Sequence, residues 1–326
     1  MKKLFTAPFY ISIVLFLLTY HAGKAQIAGD YRTIADVTFA SPTNWQQFNG
    51  STWSAAASAP TAAAGTITIQ SGTQATVGAN ISLDQLIVSH GSILSVNTAT
   101  TLTIIDGTGT DIDIQGTGTV SGLGNFTLST LATFSTANTS GLNAVAVTGT
   151  KTFANGANYI FNGNTAQNLN NPVTLVANDV TINNSAGVIL SNAITITGTL
   201  TLTAGVFNTA GNTLTFQTGD TPIVRNGTTE LGTISINSGM NLTFGTAGNT
   251  AGNAFTLPAN VFAGTPIFSN FTLNRVNKLT WNAQQTYCNA VMNLVAGELD
   301  LSPCLFFHFK QNSSIIRTSG FLKFGA

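Results

Sequence analysis

Charge is scarce in this chain. Only 7% of its 326 residues are Asp, Glu, Lys or Arg, and 11 basic side chains balance 11 acidic ones. Water-facing helices of soluble proteins carry lysine- and glutamate-rich faces, so the shortage argues against a fold built from such helices. The missing basic excess excludes the electrostatic footprint of a nucleic-acid or anionic-membrane binder. Chemistry-bearing residues are few: three His and two Cys. No Gly-x-Ser-x-Gly elbow, phosphate loop or Cys/His zinc spacing occurs. Cys288 and Cys304 leave two readings open, a single disulfide or two buried thiols.

Long hydrophobic runs are missing too, apart from one at the N-terminus. There, Lys2 and Lys3 precede a short apolar stretch from Phe9 to Leu18, and Gly23-Lys24-Ala25 places small residues before Gln26. This is the layout of a cleaved export signal, residues 1–25, with Gln26 as the mature start. The stretch falls short of the ~20 apolar residues of a spanning helix. Losing Lys2, Lys3 and Lys24 leaves eight basic against eleven acidic residues. The expected mature chain is extracellular, meets the export machinery, and has neither a membrane span nor a nucleic-acid partner.

What the chain does have is Thr, Asn, Gly, Ser and Ala, with 43% apolar residues. That apolar content argues against a disordered tract, and the rest suits strands with hydroxyl-bearing outer faces joined by Asn/Gly turns. A triplet of apolar, Thr or Ser, apolar recurs: Leu102-Thr103-Ile104, Ile194-Thr195-Ile196, Leu200-Thr201-Leu202, Leu214-Thr215-Phe216, Leu242-Thr243-Phe244, Phe271-Thr272-Leu273. Each reads as a short strand with two side chains inward and one hydroxyl outward.

Strands this short and closely spaced predict a right-handed parallel β-solenoid of roughly 20 to 25 residues per coil; tandem β-sandwich domains are the alternative. Val180-Thr181-Ile182-Asn183 matches Phe271-Thr272-Leu273-Asn274, and Leu200, Gly205 and Phe207 match Met292, Gly297 and Leu299 one residue further on. Several coils duplicated together explain this. Residues 26–64 hold Trp45 and Trp53 and few alternating strands, which predicts an N-terminal cap. Residues 65–326 read as repeats that still run at the end of the sequence, as in a piece of a longer protein.

The segments Gly29-Asp30-Tyr31-Arg32, Asn44-Trp45, Phe48-Asn49-Gly50-Ser51-Thr52-Trp53 and Gly65-Thr66-Ile67-Thr68-Ile69 resemble the start of large secreted surface proteins of Bacteroidota. Tyr159-Ile160-Phe161-Asn162-Gly163, Gln167, Thr181-Ile182-Asn183-Asn184-Ser185-Ala186-Gly187 and Gly198-Thr199-Leu200-Thr201-Leu202 are similar to their repeats. The resemblance implies a β-helical, adhesin-like passenger exported by the type IX route. It brings no catalytic residues, and the sorting domain that ends such chains is not visible.

Candidate sites are weak. Asp111 and Asp113, two apart and so expected on one strand face, join Asp106 beside Gly107 and Gly109 as a candidate calcium site; a solvated outer face is the competing reading. Trp45, Phe48 and Trp53 form a candidate sugar-stacking platform or the core of the cap. Asp220, Arg225 and Glu230 are the nearest acid–base grouping for a polysaccharide lyase or hydrolase of β-helix type, and suit loop ion pairs equally. His308, within Phe306-Phe307-His308-Phe309, reads as a partly buried strand residue. Thr195, Thr197, Thr199, Thr201 and Thr203 alternate, but irregular Thr-x-Thr spacing elsewhere speaks against an ice-binding array. The expected function is a non-enzymatic surface module, structural or adhesive, directed at carbohydrate or a neighbouring cell surface. A carbohydrate-active β-helix enzyme is the alternative.

Overall fold

The computed structural model describes residues 25–171, 175–217, 220–227, 231–236, 239–245, 253–283, 285–304 and 306–324. The expected leader, apart from Ala25, and Glu230 of the acid–base grouping lie outside the described residues.

Parallel strands stack rung on rung into a β-solenoid. Ile67–Ile69 pairs with Leu86–Val88, which pairs with Ile112–Ile114, and that strand with Thr133–Thr136, every pairing parallel. Tandem sandwiches are thereby excluded, since their sheets are antiparallel. Among the described residues, one 18-stranded sheet runs along the stack, and four 4-stranded sheets supply the other faces. Coils differ in length: Ile67 pairs with Leu86, whereas Leu242 pairs with Phe271, further along the chain. Among the described residues there is no α-helix, only a 3-10 turn at Gly141–Ala144.

The triplets behave as their alternation dictates. Ile194, Leu214, Leu242, Phe271 and Met292 lie in register, all buried, so each side chain packs on the one a rung below. Fully burying such a side chain is worth roughly 1.5–3 kcal/mol. Outside, Thr195, Thr215, Thr243 and Thr272 form a continuous ladder in the same register. Their sequence spacings are unequal because the corner loops absorb the extra residues.

The internal repeat has a structural counterpart. A bulge puts Asn183 opposite Ala204, and another puts Asn274 opposite Ala296. Next come Gly205 (φ 75°) and Gly297 (φ 85°), and then Phe207 and Leu299, both fully buried. A Cβ at Gly205 would strike the Asn184 carbonyl, and one at Gly297 the Arg275 carbonyl. Only glycine tolerates that approach at positive φ.

At the N-terminal end, Tyr31–Thr33 is already a rung, parallel to Ile67–Ile69, and Val37–Thr38 is parallel to Gln74–Val77. Between them and the next coil, Trp45–Phe48 and Trp53–Ala55 form an antiparallel hairpin on the free side of Tyr31–Thr33. The segment expected to be a cap is therefore solenoid and hairpin together, and the hairpin covers an edge that would otherwise offer unpaired backbone groups.

Midway, a buried polar network joins the coils. Gln167 is fully buried; its amide donates to the carbonyls of Thr136 (3.0 Å) and Asn138 (2.9 Å). Its Oε1 accepts from the Gly163 N–H (3.0 Å) and the Asn184 amide (2.8 Å). Thr136, at an inward position, donates to the Ile114 carbonyl at 3.0 Å. Satisfying each member removes most of the penalty of burying it.

Candidate functional site

Four carboxylates sit at solenoid corners and accept N–H groups of the next coil. Asp30 accepts from Thr66, Asp36 from Gln74, Asp111 from Thr133 and Asp179 from Thr199, at 2.6 to 2.8 Å. Asn80 and Asn125 do the same for Thr101 and Thr150, both at 2.8 Å. These side chains tie one rung to the next where the corner interrupts the ladder of backbone hydrogen bonds.

That role decides the geometry of the acidic cluster. Asp111 is fully buried ahead of the strand Ile112–Ile114, with one oxygen accepting from Gly107 (2.8 Å) and the other from Thr133 (2.6 Å). Asp113 points outward and accepts from the Gln115 amide at 2.9 Å. The expectation that Asp111 and Asp113 share a face is therefore incorrect, because the chain turns a corner between them. Burial raises the Asp111 pKa, opposed by its two N–H partners, and Asp106 and Asp84 add to the rise. Among the described residues no three His, Cys, Asp or Glu side chains converge as a metal cluster.

The aromatic trio is also split. Trp45 is 1% exposed and packs edge-on against Tyr31 and Phe39, so it belongs to the core. Phe48 and Trp53 are half-buried with ring centroids 5.3 Å apart. The Arg32 guanidinium lies 4.3 Å from the Trp53 ring centroid, a cation–π contact, and its Nε donates to Gln46 at 2.8 Å. An open three-ring platform does not exist. In its place is a groove of about 270 Å³, lined by Arg32, Trp53, Thr68, Gln70, Ser89 and Gln115 among others.

The acid–base grouping is partly described. Asp220 accepts from the Asn253 N–H at 3.1 Å, while Arg225 donates to the carbonyls of Gly232 (2.8 Å) and Ala259. Both are engaged with backbone rather than with each other. Arg275, which the sequence did not single out, is 4% exposed and donates to the Asn253 carbonyl at 2.8 Å. Its burial lowers its pKa, and Asp220 opposes that.

His308 is exposed, contrary to expectation, because it continues the outward column Ile267–Tyr287. It stacks on Tyr287 with centroids 4.7 Å apart, and Phe306 lies 5.8 Å away. Cys288 and Cys304 are free thiols, the first buried. No helix among the described residues is long and apolar enough to cross a membrane. Comparison with protein families, curated proteins and solved structures finds no match.

Proposed function

We propose that this chain is a non-enzymatic module of the cell exterior, a β-solenoid that holds a long outer face rigid for adhesion or scaffolding. The observation that carries this reading is the use made of the acids. Asp30, Asp36, Asp111 and Asp179 spend carboxylate oxygens on backbone N–H groups of the next rung. A glycan-cleaving site needs carboxylates aimed at substrate, whereas struts of this kind serve the stiffness of the scaffold. The leader-like N-terminus and the resemblance to secreted repetitive surface proteins support an extracellular setting.

The test has two arms. Mass spectrometry of protein recovered from the cell exterior should find Gln26 at the N-terminus; an intact Met1 chain in the cytoplasm overturns the setting. Incubation with acidic and neutral polysaccharides should leave chain length unchanged, and cells or matrix should retain the protein. Sustained depolymerisation, or new ultraviolet absorbance from unsaturated uronates, overturns the non-enzymatic reading in favour of a β-helix lyase or hydrolase.

A further inference from the structure

The groove beside the N-terminal hairpin has a chemistry that the module reading leaves unused. Its floor is the outward face of consecutive rungs. Arg32, Thr68 and Ile87 stand in register, and Gln70, Ser89 and Gln115 form a second polar column beside them. Trp53 forms one wall.

Arg32 is held in place from two sides. The Trp53 ring lies against its guanidinium at 4.3 Å, and Gln46 takes its Nε proton at 2.8 Å. Neither contact uses the two Nη groups, and no carboxylate among the described residues forms an ion pair with Arg32. Asp30, which also lines the groove, is 5% exposed and already accepts from Thr66 and Ile27. Asp113 stands one rung beyond Ile87, bound to Gln115. A preoriented planar cation with free donors takes a carboxylate bidentately. The amides and hydroxyls around it offer the mixed donors and acceptors that sugar hydroxyls require.

We propose that this groove binds an acidic saccharide, with the carboxylate of a uronate residue on Arg32 and the sugar hydroxyls on Gln70, Ser89 and Gln115. This deepens the reading of the chain as a binding module and rests on it. The ligand is a saccharide rather than an acidic peptide because Arg32 is the one cationic side chain of the lining, and the columns beside it are amides and hydroxyls that match sugar hydroxyls.

The test is calorimetry of the full chain with oligogalacturonate, its methyl ester and poly-glutamate. Oligogalacturonate should bind, with the methyl ester at least about tenfold weaker, since one bidentate ion pair carries that much; poly-glutamate keeps the carboxylates but lacks the hydroxyls, and should also bind more weakly. Arg32→Lys keeps the charge but loses the fork, and should weaken binding about tenfold. Gln70→Ala, away from the packing of the hairpin, should weaken it about threefold, and its melting temperature should match wild type. Equal binding of the ester overturns the carboxylate contact, and equal binding of poly-glutamate overturns the saccharide. Binding unchanged in both variants, or no binding by wild type, overturns the site while retention on cells still supports the module. Turnover of oligogalacturonate would instead overturn the module reading itself.

Discussion

Asp179 Oδ1 accepts the Thr199 N–H at 2.7 Å, one coil further along, and a Cβ on the neighbouring Gly198 would collide with that same oxygen. The pairing recurs as Asp30 with Gly65-Thr66 and Asn125 with Gly149-Thr150. Gly-Thr at a corner is therefore the imprint of an Asx side chain passing beneath it.

This predicts coupling between Asp179 and Gly198, which lie on successive coils. Asp179→Ala should cost roughly 1–2 kcal/mol, given a charged but exposed hydrogen bond. Gly198→Ala should cost a similar amount alone, and less in the Asp179→Ala background, where the collision with Oδ1 has gone and the close approach to Asn178 remains. Denaturant unfolding of the four proteins of the cycle measures the coupling, expected above about 0.5 kcal/mol. Simple additivity would show that the strut does not exist.

Gln167 joins three coils from inside. Gln167→Ala should cost roughly 1–3 kcal/mol, because the buried Gly163 N–H loses its acceptor and the Asn184 amide one of its two, while the Thr136 and Asn138 carbonyls keep the N–H groups of Asn162 and Gly141. A loss below about 1 kcal/mol in urea unfolding would mean that those groups find other partners.

Inward and outward positions of one strand should differ sharply. Leu214 is fully buried between Ile194 and Leu242, so Leu214→Asp leaves an unpaired carboxylate in the core at a cost of about 3–5 kcal/mol. Thr215→Asp, one residue on and facing out, should stay within about 0.5 kcal/mol. Circular-dichroism melts of the two variants decide; equal damage would contradict the register.

Acid sensitivity should trace in part to Asp300. The Ser302 hydroxyl and N–H and the Lys323 ammonium, 3.2 Å away, hold its pKa at about 2. A folded pKa below the ordinary aspartate value means that the unfolded chain binds the proton more readily. The associated stability is fully present above that ordinary value and is lost as pH falls toward about 2. Melting temperature against pH should therefore fall less steeply over this window in Asp300→Asn than in wild type.

Chelation should leave the melting curve unchanged. Asp111 is buried with its oxygens on Gly107 and Thr133, while Asp113 faces out on Gln115, so among the described residues these carboxylates do not converge on one ion. Melts with calcium and with chelator should coincide. A rise of several kcal/mol at saturating calcium, the linkage expected of a tight site, would restore Asp106, Asp111 and Asp113 as ligands.

The sequence by itself determined which side chains face in. A period-two pattern such as Leu214-Thr215-Phe216 leaves only one way to bury two apolar groups and expose a hydroxyl, and short strands with Gly/Asn turns favoured coils over sandwiches, which the parallel pairing then excluded. The match between Gly205 and Gly297 likewise announced a recurring turn, because positive φ beside a neighbouring carbonyl admits nothing but glycine. Tertiary structure decided everything that depends on the neighbouring coil. Asp111 and Asp113 parted because a corner lies between them, and corners are placed by the coil below rather than by local alternation. Trp45 went to the core while Trp53 took Arg32, since the hairpin that folds over the first rung brings together residues well separated in the chain. The threonine ladder became regular only in space, because loops of unequal length consume the differences that make it irregular along the chain.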